Sequence, residues 1–279
     1  MGSEVELLVE AAKEGDKKAL EELILKIQDR IYGLALRMLY NPSDAEDASQ
    51  EILLKIITHL GTFRGESSFS TWMYRVAANH LLTVRQRRSE QVALSFDEYQ
   101  EALELDSALT WQESQSDILQ NLFVEEIRIS CLQGLLLCLD REHRLAYLLA
   151  DVFDVTSEQG AAIMAITPAA FRKRLSRSRE KIQEFLTRNC SLINPDNPCQ
   201  CERFVGSYLE DDRMNDKRMV FAKHPCRIRH KESTLNHIRE MDELNRMAFL
   251  YKRYPDFQAP AVLIENIRNL LSSNKYELL

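Results

Sequence analysis

The sequence predicts an all-α protein: two small helical domains joined by a flexible acidic linker, with a small helical module appended. Three observations predict it. Of 279 residues only 8 are Gly and 7 are Pro, so turn formers are scarce among helix-favouring residues. Apolar residues recur at helical spacing over long stretches. Charge is segregated: basic residues concentrate in Arg64–Arg88 and Arg172–Arg188, with the acidic stretch Glu90–Asp117 between them. A composition 45% hydrophobic and 28% charged supplies two or three small cores.

The first domain is expected over residues 1–88. Leu20, Leu23, Ile24, Ile27, Ile31, Leu34, Ala35 and Met38 follow the spacing of a helix with one buried face, and Asn41-Pro42 stops it. Ser43 followed by Glu46 forms a capping box that opens a second helix through about Leu60. Gly61 and Gly65 bracket a turn. Ser68 or Ser70 then opens a third helix carrying Trp72, Met73, Val76 and Ala77, followed by a turn at Ala78-Asn79-His80. Residues 89–121 are acidic and weakly periodic, the expected linker with some helical turns.

The second domain, 122–188, contains Thr156–Arg188. Thr156 with Gln159 caps a short helix through Met164, and Ala165-Ile166-Thr167 turns the chain. Thr167 is an N-cap and Pro168 sits at the first helical position. Phe171, Leu175, Ile182 and Phe185 share one face of the longer helix that follows. Lys173 and Arg177 point away from that stripe, with Arg172 and Arg179 on one flank and Arg174 and Lys181 on the other. A short helix, a tight turn and a basic helix is the layout of a major-groove reader. Arg172 and Lys173 are then placed for base edges, with Arg174 beside them; Arg177 and Arg179 are placed for phosphates. A plain helical hairpin with a solvated basic face satisfies the same pattern.

Residues 189–279 form the appended module. Ser191–Gln200 is a loop, and Thr234–Tyr254 and Ala259–Ser272 are expected helices separated by Pro255 and Pro260. Cys190, Cys199 and Cys201, with Cys226 or His224, could hold zinc tetrahedrally, although the usual C-x2-C knuckle is absent; three free thiols in a loop is the alternative. Cys131 and Cys138 lie on an apolar helical stretch and read as core.

The run Asp44-Ala45-Glu46-Asp47-Ala48-Ser49-Gln50-Glu51-Ile52-Leu53-Leu54-Lys55-Ile56 resembles the polymerase-binding helix of the sigma-70 family. Phe63-Arg64-Gly65-Glu66-Ser67-Ser68-Phe69-Ser70-Thr71-Trp72-Met73-Tyr74-Arg75-Val76-Ala77-Ala78-Asn79 resembles region 2 of its extracytoplasmic-function (group 4) sigma factors, and Thr156–Arg179 resembles their region 4. The resemblance covers residues 4–188. It implies that Asp44, Asp47, Gln50, Glu51 and Leu54 face core RNA polymerase, whose beta and beta-prime subunits are the expected partners. It implies that Trp72, Tyr74, Arg75, Asn79, His80, Arg85, Arg87 and Arg88 serve the −10 promoter element, with Asn79 and His80 at a pocket for a flipped base. It implies that Arg172, Lys173, Arg174, Arg177 and Arg179 serve the −35 element, and that the acidic linker threads toward the polymerase active centre. Gly160, where the family usually has a branched apolar residue, is expected to loosen the helix-turn-helix. The appended module is expected to regulate, in place of a separate anti-sigma factor or by docking another partner, with zinc as its one possible cofactor.

Other classes fit less well. No phosphate-cradling glycine loop, H-E-x-x-H or nucleophile elbow is present, so no enzyme is expected. A helix-turn-helix regulator that acts without replacing a sigma factor leaves Trp72–Arg88 and Asp44–Glu51 without a task. No apolar run reaches the ~18 residues of a membrane span, and the acidic N-terminus is unlike a signal peptide, so a cytoplasmic protein is expected.

Overall fold

Capping side chains set where the N-terminal helices begin. The computed structural model describes residues 2–84, 94–107, 117–205, 221 and 257–272. After helix α1 (Gly2–Lys13), the Asp16 carboxylate accepts from Lys18 N at 2.8 Å and Ala19 N at 3.2 Å, opening α2 (Lys17–Leu39). The expected apolar stripe of α2, from Leu20 to Met38, is buried. Helix α3 (Pro42–His59) starts earlier than expected: Asn41 Oδ1 accepts from Asp44 N at 3.2 Å and Pro42 occupies the first turn. That places Ser43 inside the helix, and it is Asn41 that caps it. A 3-10 turn (Leu60–Thr62) leads to α4 (Phe69–Thr83), capped by Ser68. The turn expected at Ala78-Asn79-His80 is absent. Ala77, Ala78 and Leu81 extend the buried face, no Gly or Pro interrupts it, and α4 continues to Thr83.

The expected linker contains a helix, α5 (Phe96–Ser107). Ser95 and Glu98 cap it reciprocally: Ser95 N donates to Glu98 Oε2 at 2.7 Å and Glu98 N to Ser95 Oγ at 3.2 Å. Helix α6 (Asp117–Leu137) is followed by α7 (Arg141–Tyr147), capped by Asp140, and a π-helical stretch (Leu148–Val152). The helix-turn-helix is α8 (Ser157–Met164) and α9 (Pro168–Asn189). Its predicted caps form: Thr156 with Gln159 as a reciprocal box, and Thr167 Oγ1 accepting from Ala170 N at 3.2 Å. A loop with an isolated bridge between Cys190 and Cys199 follows, then a 3-10 turn (Cys201–Phe204). The last described helix is α10 (Ala261–Ser272), which begins just after Pro260. The expected helix Thr234–Tyr254, Cys226 and His224 lie outside the described residues.

The chain divides into two units. The first comprises Met1–Ser89, Val155–Lys173 and Phe257–Leu279; the second comprises Glu90–Asp154 and Arg174–Asp256. In the first, α2 packs between α1 and α3, α4 packs on α3, α8 packs on α4, and α10 packs on α2 and α3. Thus α8, expected with the second domain, clusters with the first. A residue contact that ties it there is Arg75 Nε of α4 donating to the Ala162 carbonyl of α8.

In the second unit, α5 is docked. Its Phe96 and Tyr99 rings lie 6.1 and 5.8 Å from Phe185 of α9, and Tyr99 Oη donates to Cys131 O at 3.1 Å. Gly134 permits this: a Cβ there would fall 2.6 Å from Tyr99 Oη. Phe123, Val124, Ile127, Cys201, Phe204 and Val205 form a further cluster. Among the described residues no helix is long and apolar enough to cross a membrane.

Candidate functional site

Three groups of side chains were singled out by the sequence. Along α3, Asp44, Asp47, Glu51 and Leu54 recur at 3, 4, 3 spacing, which puts them on one side of the helix with Gln50 beside them. Asp47 and Glu51 are exposed; Asp44, Gln50 and Leu54 are half-buried. The opposite side, Ala45, Ala48, Ile52 and Ile56, is core. Burial, with the Asp47 charge beside it, pushes the Glu46 carboxyl above its ordinary range. The stripe connects to α4: Lys55 Nζ lies 2.8 Å from His80 Nδ1, and Glu51 Oε2 lies 3.8 Å from the same nitrogen. An ammonium can only donate, so this ring nitrogen accepts.

On α4 the structure separates the expected −10 residues. Arg75 and Asn79 are exposed one turn apart. Trp72 is half-buried beside Phe63 and Phe69, with ring centroids 5.6 and 5.8 Å away. Tyr74 and His80, at 2% and 6% exposure, sit in the packed interior of the unbound chain, and at His80 the helix continues where a turn was expected. Arg85, Arg87 and Arg88 lie outside the described residues. Arg75 Nε donates to the Ala162 carbonyl of α8 at 3.0 Å.

In the helix-turn-helix, Phe171, Leu175, Ile182 and Phe185 are buried. Gly160 does not loosen the packing: the Phe171 ring occupies its side-chain space, where a Cβ would lie 2.3 Å from ring carbons. Lys173 and Arg177 are exposed and, among the described residues, held by no acid. Arg172 lies 3.8 Å from Glu158, and Arg174 pairs with Glu142 at 2.6 Å. Arg179 makes a two-pronged contact with Asp151, through Nε at 2.9 Å and Nη2 at 2.5 Å. That hydrogen bonding raises the Arg179 pKa.

The expected zinc set includes Cys226 or His224, which lie outside the described residues. Among the described residues no three His, Cys, Asp or Glu side chains are placed to hold a metal ion. Cys190 and Cys199 are bridge partners, with Ser191 N donating to Cys199 O at 3.1 Å, while Cys201 packs into the cluster with Phe123 and Phe204. Burial pushes the Cys190 thiol up, Cys199 to about 12 and Cys201 to about 11, as expected of thiols that pack as small apolar groups.

Sequence reasoning expected some helical turns in the linker but missed that they form a docked helix, α5, although Ser95 and Glu98 spell its cap. It also missed the acidic partners of Arg174 and Arg179 and the seating of α8 and α10, for which no local signal exists.

The Sigma-70 region 2 family matches residues 23–91, and the Sigma-70, region 4 family matches residues 129–182. The chain is 34% identical over 182 residues to the RNA polymerase sigma-H factor of Pseudomonas aeruginosa, covering 64% of this chain and 92% of that one. It is 30% identical over 178 residues to the ECF RNA polymerase sigma-E factor of Escherichia coli K12, covering 63% and 91%. The solved structure of CnrH in complex with the cytosolic domain of CnrY covers 66% of this chain and 98% of that chain, at 19% identity and a TM-score of 0.47.

Proposed function

Because this chain belongs to the extracytoplasmic-function sigma factors of the sigma-70 family, we propose how its polymerase and promoter contacts are divided among its helices. The chain is a sigma factor, not an enzyme: it binds core RNA polymerase and directs promoter-specific initiation. The beta and beta-prime subunits are the proposed contacts, and the cytoplasm the proposed compartment.

Asp47 and Glu51 of α3 meet polymerase, flanked by Asp44, Gln50 and Leu54. An exposed acidic stripe beside an apolar edge suits a partly basic coiled coil. Arg75 and Asn79 of α4 meet the −10 element, where a splayed base needs hydrogen-bonding and stacking groups. Trp72 backs them from its aromatic cluster, and Arg85, Arg87 and Arg88 extend the basic charge. Lys173 enters the −35 major groove near the start of α9, with Arg172 beside it and Arg177 on phosphate. The exposure of Lys173 and Arg177, against the pairing of Arg174 and Arg179 to acids, carries this assignment.

Run-off transcription with core polymerase and a genomic promoter library tests it. Initiation that depends on this protein and fails when Asp47 and Gln50 are replaced by Ala is the expected result. Promoter binding with no affinity for core polymerase would instead return the chain to a helix-turn-helix regulator.

A further inference from the structure

Helix α10 lies beyond both matched family regions, the second of which ends at residue 182. It nevertheless packs on the pair of helices that includes the acidic stripe, touching both α2 and α3. Phe257, Ala259, Leu263 and Ile267 are buried there, while Val262 is exposed. Three anchors fix its course along α2. The Arg37 guanidinium sits 4.8 Å from the centre of the Phe257 ring. The Ala259 amide donates to Asp29 Oδ1 at 2.9 Å, and Arg268 Nε donates to Glu21 Oε1 at 2.6 Å. As the segment rises from 257 to 268, its partners descend from 37 to 21. It therefore runs antiparallel to α2 along about 24 Å of that helix.

We propose that α10 is an intramolecular lid that competes with core RNA polymerase for the α2–α3 pair. The proposal rests on the reading that the Asp44–Leu54 stripe of α3 faces polymerase. A helix with its side chains is about 10–12 Å across, so a helix already seated on α3 crowds a coiled coil approaching the neighbouring stripe. The seat is built to be left. A helix of 12 residues is marginal on its own, and the Arg268–Glu21 pair is about half exposed on both sides. Segments that supply the two family regions complete the P. aeruginosa relative to 92% of its length within 64% of this chain, so the lid is an addition to a fold that is otherwise finished. A lid closed about nine-tenths of the time weakens apparent polymerase affinity about tenfold.

Equilibrium binding of the full chain to core polymerase, paired with amide hydrogen exchange, tests this. The variants are Ile267→Asp, Arg268→Glu, and the reversed pair Glu21→Arg with Arg268→Glu. The first two are expected to deprotect α10 and tighten polymerase binding about tenfold; the reversed pair returns both toward wild type. Deprotection of α10 with unchanged or weaker binding overturns the lid. So does α10 protection that is indifferent to every substitution, or absent in the wild type. Asp47→Ala with Glu51→Ala, made in the Ile267→Asp background, separates the two readings. Loss of binding upholds the stripe. Binding that tightens with Ile267→Asp yet ignores Asp47 and Glu51 leaves the lid standing and removes the stripe.

Discussion

Arg75 Nε donates to the carbonyl oxygen of Ala162 at 3.0 Å, so a side chain assigned to promoter DNA is holding the first helix of the helix-turn-helix. A hydrogen bond from a charged donor in an exposed position contributes about 1 kcal/mol. Arg75→Ala is therefore expected to speed amide exchange in α8 of the free chain about fivefold. The same variant should open promoters poorly, because the guanidinium is also lost from the −10 surface. Hydrogen exchange and permanganate reactivity of the −10 bases read the two effects separately. Unchanged exchange in α8 would show the contact to be idle.

Gly160 and Phe171 face each other across the helix-turn-helix, and a Cβ at 160 would lie 2.3 Å from two carbons of a fully buried ring. Overpacking of this kind costs about 1–3 kcal/mol. Gly160→Ala should lower the midpoint of unfolding and weaken −35 binding together, since α8 supports α9. Phe171→Leu added to Gly160→Ala should restore part of both. A Gly160→Ala variant as stable as wild type would mean that the ring moves aside freely.

That pair also shows where sequence legibility stops. Elements with a local cause were readable: the apolar stripe of α2, the Thr156–Gln159 box, and Thr167-Pro168 opening α9. Gly160 was misread because its partner lies eleven positions on and belongs to another helix, and nothing local says a ring will fill the gap. Asn79 and His80 were expected in a turn, but the small and apolar residues around them propagate α4, and His80 then turns inward to Lys55. The linker read as no more than some helical turns because its acidic composition outweighed one capping box and two aromatics. Those aromatics needed Phe185, Cys131 and Gly134 as partners before they meant packing.

Salt dependence of −35 binding distinguishes free from engaged arginines. Each phosphate contact adds about 0.9 to the slope of log affinity against log salt. Arg177→Ala is expected to reduce the slope by about one and to leave stability nearly unchanged. Lys173→Ala is expected to weaken binding and relax sequence preference. Arg179→Ala should leave the slope in place and cost about 0.5–1 kcal/mol of stability, because its partner is Asp151 and the pair is partly exposed. A full unit lost from the slope in Arg179→Ala would show that it exchanges Asp151 for phosphate on binding.

The thiols give the chain an alkaline edge. Cys199 and Cys201 are raised by burial from 9.0 to about 12 and about 11, so the folded state holds these protons more tightly than the unfolded chain. Their contribution is fully present below about pH 9 and is lost as pH rises through 11 and 12. Each raised thiol steepens the fall by at most about 1.4 kcal/mol per pH unit. Guanidinium unfolding between pH 8 and 11 should therefore show stability falling with pH, less steeply in Cys199→Ala with Cys201→Ala, and EDTA should not move the curves. Thiolates held by a metal would behave in the opposite sense. They are ionised at neutral pH, lose their ion as pH falls, and respond to EDTA. An acid-side loss that EDTA reproduces would overturn the packing role assigned to these cysteines.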